Sequence, residues 1–489
     1  MDPSTTAAPV PNPACAARPG RLICVWLSAF AVTADPLTAF GQSASGEPEA
    51  FVQQQRAIQQ RISAEFDAEL AEAQRVAFDW GGWYSLHLLV FDDGVESSRT
   101  LRRNDLRIWT RAALENGVHE FYFRGRASLL DFNAGDGYDR DDDVEGPNLE
   151  RGAYRLNLSR AMAGREGRGS PFDTTITLGR DLVVFGTGLS LAAPLDHVAV
   201  RAAQGQYAFT GVAGRTVGSL DDFDLTRPAD RTRRAVYGTQ LTYHGFERHR
   251  PFAYVLWQRD QNSYSTLPLG QDFDYDSFYF GTGSEGEVSD NLRYALELAY
   301  EAGRGANSGA FAAHNEIEAF AADLELEYLF PGEHRARASI EYLFGSGDSD
   351  RGFSPTDTLG GNRGDHADNG FVALGYKDTG LALAPRYANL HMWRVGVSGF
   401  PWPNDARLGR LELGADWYLF HKHHRDGAIS DPTADNRSGF AGWEMDYFAN
   451  WRVTSDLAWT ARCGAFFPGD AFGDQSARTF LLLGVVWSF

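Results

Sequence analysis

The sequence predicts an all-β protein, a single transmembrane antiparallel β-barrel of about 18 strands behind an N-terminal periplasmic helical segment. Three observations carry this expectation. The final run, Arg478–Phe489 (RTFLLLGVVWSF), is strand-like to its last residue and closes on an aromatic, as barrels do when the closing strand ends in the interfacial girdle. From Trp83 onward the apolar pattern has period two. The connections between these segments alternate between short turns and long polar loops.

The N-terminus reads as a secretory signal over residues 1–41. Arg18 and Arg21 precede an apolar core from Leu22 to Thr33, and Ala39-Phe40-Gly41 offers a small-x-small cleavage site before Gln42. Residues 42–82 form a periplasmic linker and helix. Within 49–77, Phe51, Ile58, Ile62, Phe66, Leu70 and Ala73 recur at helical steps. This segment would self-associate or meet a periplasmic partner. Cys15 and Cys24 would leave with the signal, so Cys463 alone remains and no disulfide framework forms within one mature chain.

Residues 83–489 are assigned to the barrel. Leu292, Tyr294, Leu296, Leu298 and Tyr300 alternate with Arg293, Ala295, Glu297, Ala299 and Glu301. Leu324, Leu326 and Tyr328 alternate with Asp323, Glu325 and Glu327, and Ala336, Ala338, Ile340 and Tyr342 with Arg335, Arg337, Ser339 and Glu341. One apolar and one charged face over such lengths suits a strand with lipid on one side and water on the other. No run after residue 41 is long and apolar enough for a membrane helix, which does not bear on strands. The short connections are Asn116-Gly117, Gln204–Gln206, Pro331–Glu333 and Val453–Ser455. The long ones are 92–103, 132–150, 181–196, 216–233, 259–272, 302–314, 345–388, 421–441 and 467–477.

In a barrel the polar face lines the lumen. Alternation places Arg107, Arg111, Arg124, Arg126, Arg155, Arg180, Arg201, Arg335, Arg337, Arg394 and Arg462 on it. Arginine stays charged and binds carboxylates with a two-pronged fork, so several together form a basic constriction that draws anions. Glu120, Glu297, Glu325, Glu327, Glu341, Glu412, Asp416, Glu444 and Asp446 fall on the same face, and pairing with them would make many of the arginines structural. Lysine occurs only at Lys377 and Lys422.

Other readings are weaker. Asp139, Asp141 and Asp143 start like an EF-hand loop, but Val144 stands where glycine is required, so 131–150 is read as a solvated acidic loop. His421-Lys422-His423-His424 is read as a strand end at the interface, with no metal. The glycines of Gly186-Thr187-Gly188 and Gly345-Ser346-Gly347 are loop glycines, with no helix behind them to cradle phosphate. No G-x-S-x-G, H-E-x-x-H or Walker pattern occurs, so no enzyme and no cofactor are expected. The formal charge of −20 argues against a nucleic-acid partner.

Two stretches resemble the alginate export porin family. Thr175–Leu182 (TITLGRDL) is similar to the family's Leu-x-Phe-Gly-Arg-x-x-Leu strand. Arg462–Gly473 (RCGAFFPGDAFG) is similar to its Arg-Gly-Gly-x-Phe-x-Pro-Gly-Asp-Ala-Tyr-Gly run before the last strand. The resemblance covers about residues 104–489. It implies a bacterial outer-membrane barrel, embedded in lipid, that passes an anionic polyuronate or its oligomers, and it maps the family's basic pore residues onto Arg180 and Arg462. The family's best-known members plug the pore with a long periplasmic turn before the penultimate strand. Here that turn is only Val453–Asp456. The alternative reading is a structural or cell-wall-associated outer-membrane barrel with 49–77 as its working part.

Overall fold

Residues 76–489 are described in a computed structural model, save 95–97, 137–140, 167–171, 219, 221, 224–231, 263–273, 307–313 and 352–365. The signal segment and most of the 49–77 helical segment lie outside the described residues. Val76 and Ala77, counted with that helix, already belong to a strand.

Eighteen antiparallel strands close on themselves. They are β1 Val76–Asp92, β2 Arg99–Leu114, β3 His119–Phe132, β4 Asp143–Asn157, β5 Asp173–Phe185, β6 Leu191–Gln204, β7 Tyr207–Thr216, β8 Arg234–Tyr243 and β9 His249–Asp260. The second half holds β10 Tyr275–Ser289, β11 Leu292–Ala306, β12 His314–Leu329, β13 Arg337–Gly345, β14 Leu390–Gly399, β15 Leu411–Lys422, β16 Phe440–Arg452, β17 Leu457–Pro468 and β18 Arg478–Ser488. Each strand pairs with its sequence neighbours, and β18 pairs with β1 from Trp83↔Ser488 to Asp92↔Thr479, which removes the sheet edge. The backbones of Phe489 and Gly82 exchange two hydrogen bonds at the seam.

The barrel starts earlier than residue 83, because β1 runs seven residues below Trp83 alongside β2. Several connections are shorter than the sequence suggested. Residues 181–185 and 191–196 are strand, which leaves 186–190 as the loop, and 143–150 belong to β4. The alternation of rims holds. The 115–118, 205–206, 290–291 and 453–456 turns share one rim with a short helix α1 (Leu158–Glu166), and β7 and β8, β13 and β14, and β15 and β16 have their connected ends at the other. On the outer wall Leu106, Ile108, Phe123, Val198, Leu241, Phe280, Leu324, Val395 and Leu483 are exposed. That apolar surface would be untenable in water and is what lipid requires.

The lumen divides along its axis. Toward the long loops the inward positions are apolar: Leu89 and Phe91 on β1, Val183 and Phe185 on β5, Met392 on β14, Phe420 on β15 and Phe480 on β18 are all buried. Toward the short turns they are charged. The polar-inward rule therefore holds only for the short-turn half, because the other half packs around a loop.

Candidate functional site

That loop connects β13 to β14. Sequence length suggested an external loop at 345–388. Instead residues 366–389 enter the barrel and pack Phe371, Val372, Leu374, Leu381, Leu383 and Tyr387 against the inward apolar residues. A backbone strip so deeply buried must satisfy its N–H groups. The acidic wall does this. Glu444 on β16 accepts from the amides of Leu381 and Ala382 (both 2.6 Å) and of Leu383 (2.9 Å). Glu301 on β11 accepts from the Val372 amide at 2.9 Å, and the Tyr279 hydroxyl on β10 donates to the Val372 carbonyl at 2.6 Å. Lys377 lies 2.7 Å from Asp323 on β12, both side chains almost wholly buried. Gly380, at φ +98, turns the chain where an added Cβ would meet the Glu444 carboxylate at 2.9 Å.

A second inward turn, 186–190, is held in the same manner. Glu297 on β11 accepts from the Thr187 amide (2.5 Å), its hydroxyl (2.6 Å) and the Tyr254 hydroxyl (2.5 Å). Gly186, at φ +59, is the residue that lets the backbone come that close. At the loop's base, Arg351 pairs with Asp368 in a buried fork. Burial opposes the charge on Arg351, but Asp368 outweighs it and lifts the guanidinium above its ordinary pKa.

Facing this acidic wall, β2–β6 carry a basic one. Arg103, Arg107 and Arg111 on β2, Arg124 and Arg126 on β3, Arg151 and Arg155 on β4, and Arg201 on β6 point inward by strand register. Asp105, Glu120, Glu145, Glu150 and Asp181 stand among them. Arg107 is fully buried between Asp105 (3.2 Å) and Glu150 (3.1 Å), and Arg124 is tied to Glu150 at 2.5 Å. Both guanidiniums lie against the Trp83 ring, at 5.9 and 5.6 Å. Arg126 pairs with Glu145 at 3.0 Å and Arg111 with Glu120 at 2.5 Å. Arg155 bridges Glu120 (3.0 Å) and Asp181 (3.1 Å), yet its side chain stays 41% exposed. Arg201 is exposed to the lumen and, among the described residues, makes no ion pair or hydrogen bond.

The remaining candidates separate. Arg394 on β14 is buried between Glu341 (2.6 Å), Glu325 (3.2 Å) and Asp378 of the loop (3.4 Å). Arg337 on β13 reaches Glu412 at 3.1 Å. Both serve the acidic wall. Arg462 on β17 does face inward and is unpaired among the described residues, but it shares a cleft with Asp378, Asp416 and Asp446.

Two candidates are misplaced by alternation alone. Arg335 belongs to the turn between β12 and β13, with φ +44 and its guanidinium 3.6 Å over the Phe400 ring. Arg180 shares its β5 face with Leu178, which is exposed on the outer wall, while its neighbours Gly179 and Asp181 pair with Ala153 and Leu195, both buried inside. It therefore points outward, where it forks onto Asp196 of β6 at 2.7 and 3.0 Å and donates to the Leu149 carbonyl at 3.0 Å. The lumen residues that reasoning from arginine missed are Arg103, Arg151 and Lys377. The first two sit beside another arginine or a glutamate that blurs the alternation, and Lys377 lies in a segment read as external.

A closed eighteen-strand meander with an apolar belt outside and charge inside is an outer-membrane β-barrel of the porin type. The chain belongs to the alginate export family, whose model matches residues 196–485. The match contains Arg462 and the loop 346–389 and begins within β6, so most of the basic wall and Arg180 precede it.

Similar solved structures include Acinetobacter baumannii OccAB2, at 10% identity and a TM-score of 0.54 over 86% of this chain and 99% of that one. Another is Pseudomonas aeruginosa OccK2 (OpdF), at 13% identity and a TM-score of 0.51 over 84% and 98%. A third is the outer membrane protein opdK of Pseudomonas aeruginosa, at 12% and 0.50 over 84% and 99%. At such identities the likeness is one of fold. No curated protein matches the chain.

Proposed function

We propose that this barrel is a passive outer-membrane channel for an anionic solute, in the class of acidic polysaccharides such as alginate or their oligomers. The observation that carries the reading is the asymmetry of the lumen. Glu301, Asp323 and Glu444 are covered by the inward loop and Glu297 by the 186–190 turn, whereas Arg155 and Arg201 on the opposite wall remain open to the lumen. A solute sliding past would meet the basic wall and not the acidic one, and arginine forks would replace part of the water around its carboxylates. The chemistry needs no turnover, because the protein contributes field and shape only. Membership of the alginate export family supports a uronate-like cargo.

The test is the reversal potential of the purified barrel in a planar bilayer under a salt gradient, with and without uronate oligomers. Anion preference and block by the oligomers are expected. Cation preference, or indifference to the oligomers, would overturn the proposal.

A further inference from the structure

A row of residues on the outer wall bears a second basic feature. Its first part is apolar and aromatic: Val198 on β6, Ala213 on β7, Tyr237 on β8, Trp257 on β9 and Phe278 on β10 stand opposite one another in register. Trp257 and Phe278 stack at 5.6 Å with an interplanar angle of 2°, and Tyr237 tilts against Trp257 at 5.3 Å. An aromatic row of this kind marks the level where hydrocarbon gives way to headgroups.

One same-face step toward the long loops, the row becomes Arg215 on β7, Ala235 on β8 and Arg259 on β9. Just before β8 begins stands Arg233, whose carbonyl accepts from the Gln261 amide. Arg215, Arg233 and Arg259 are all exposed, and none makes a side-chain ion pair or hydrogen bond among the described residues. They surround one small residue. Arg215 and Arg259 stand two strand spacings apart, roughly 10 Å between backbones, a gap that two arginine side chains can close on one phosphate.

Among the described residues, the neighbouring acids Asp196, Asp222, Asp260 and Asp276 are already engaged. Asp196 holds Arg180, Asp222 holds Arg234, Asp260 lies inside against Arg234, and Asp276 accepts from the Asp260 amide at 2.7 Å. Elsewhere on the long-loop rim several arginines are paired, as Arg99 with Asp93, Arg102 with Asp131 and Arg478 with Asp431.

From this geometry we infer that Arg215, Arg233 and Arg259, above the Tyr237–Trp257–Phe278 row, bind the phosphorylated headgroup of a lipid in the leaflet at the long-loop rim. Arginine forks match phosphate oxygens, and the aromatic row would seat the first part of the acyl chains.

The test uses the whole barrel in bilayer nanodiscs doped with a phosphorylated glycolipid or with its dephosphorylated form, and counts lipid retained after delipidation by native mass spectrometry. The phosphorylated lipid should be retained, and the R215Q/R233Q/R259Q variant should hold it roughly tenfold less. R259Q alone, read with unchanged heat-resistant migration and conductance, guards against a folding defect and should show an intermediate loss. Equal retention of the two lipids, or equal retention by the variants, would overturn the inference. So would displacement of the lipid by millimolar inorganic phosphate, which would make the site one for free phosphate.

Discussion

The two walls of the lumen use charge in opposite ways. On β11, β12 and β16 the carboxylates are spent on structure: Glu297, Glu301 and Glu444 accept backbone amides of inserted loops, and Asp323 holds Lys377. On β2–β6 the arginines exceed what their acidic neighbours can satisfy; Arg201 is left without an acidic partner among the described residues, and Arg155, though held by Glu120 and Asp181, keeps much of its side chain exposed. Residues of opposite sign on the same face of the same sheet thus do different jobs, and what decides the job is whether a loop covers them. A buried charge is fixed by its partner, and only a charge still in contact with water can be handed to a passing solute.

The comparison breaks most visibly at the loop anchor. Asp323→Ala leaves Lys377 as a buried cation and should cost about 3–5 kcal/mol at that contact. Single-channel conductance should rise and become noisy, and trypsin should cut near Arg386. The D323L/K377M pair should restore quiet traces. Unchanged conductance and protease resistance in D323A would mean that the acidic wall does not hold the loop.

Charge reversal sharpens the other side. R155E together with R201E should move the reversal potential toward cations, and R462E should move it less, because Arg462 already sits among Asp378, Asp416 and Asp446. A larger shift from R462E would relocate the selectivity element to β17.

Arg180→Gln is expected to leave selectivity as it is, since the side chain lies outside. Stability should fall by roughly 1–3 kcal/mol as Asp196 loses its donors, measured by heat-modified migration. A selectivity change there would contradict the outward register.

The smallest effect concerns His423, beyond the end of β15. Burial lowers its pKa below the ordinary 6.5, so the folded state prefers the neutral ring. Its contribution is complete above the unfolded value and fades as pH falls below it. The 3.1 Å contact between His391 Nε2 and His423 Nδ1 should therefore loosen under mild acid, visible as imidazole chemical-shift changes that H423Q abolishes.

Much of the barrel was legible in the sequence because the membrane enforces a simple code. Leu481, Leu483, Val485 and Trp487 had to face lipid, and they do. The code weakens wherever something other than lipid or water lies against a face. Phe480 and Leu482 point inward although apolar, because loops fill that half of the lumen, and Val486, near the short-turn rim, packs inward on Trp83. Loop length could not reveal that 366–389 turns in, since the signal is dispersed over carboxylates on three strands. Arg180 misled for a related reason: the β5 stretch Asp173–Phe185 has Thr174, Thr175 and Thr177 on both faces, so its parity was undetermined until Val183 and Phe185 fixed it.

The two lysines have a practical consequence. Lys377 is sealed against Asp323, and Lys422 donates to the carbonyls of Ala434 (2.6 Å) and Asn436 (3.1 Å). Since the chain has no others, a folded barrel offers amine-reactive reagents no lysine target on its surface. Acylation of Lys377 would then clock the inserted loop's excursions, with no engineered label and a background set by the N-terminal amine.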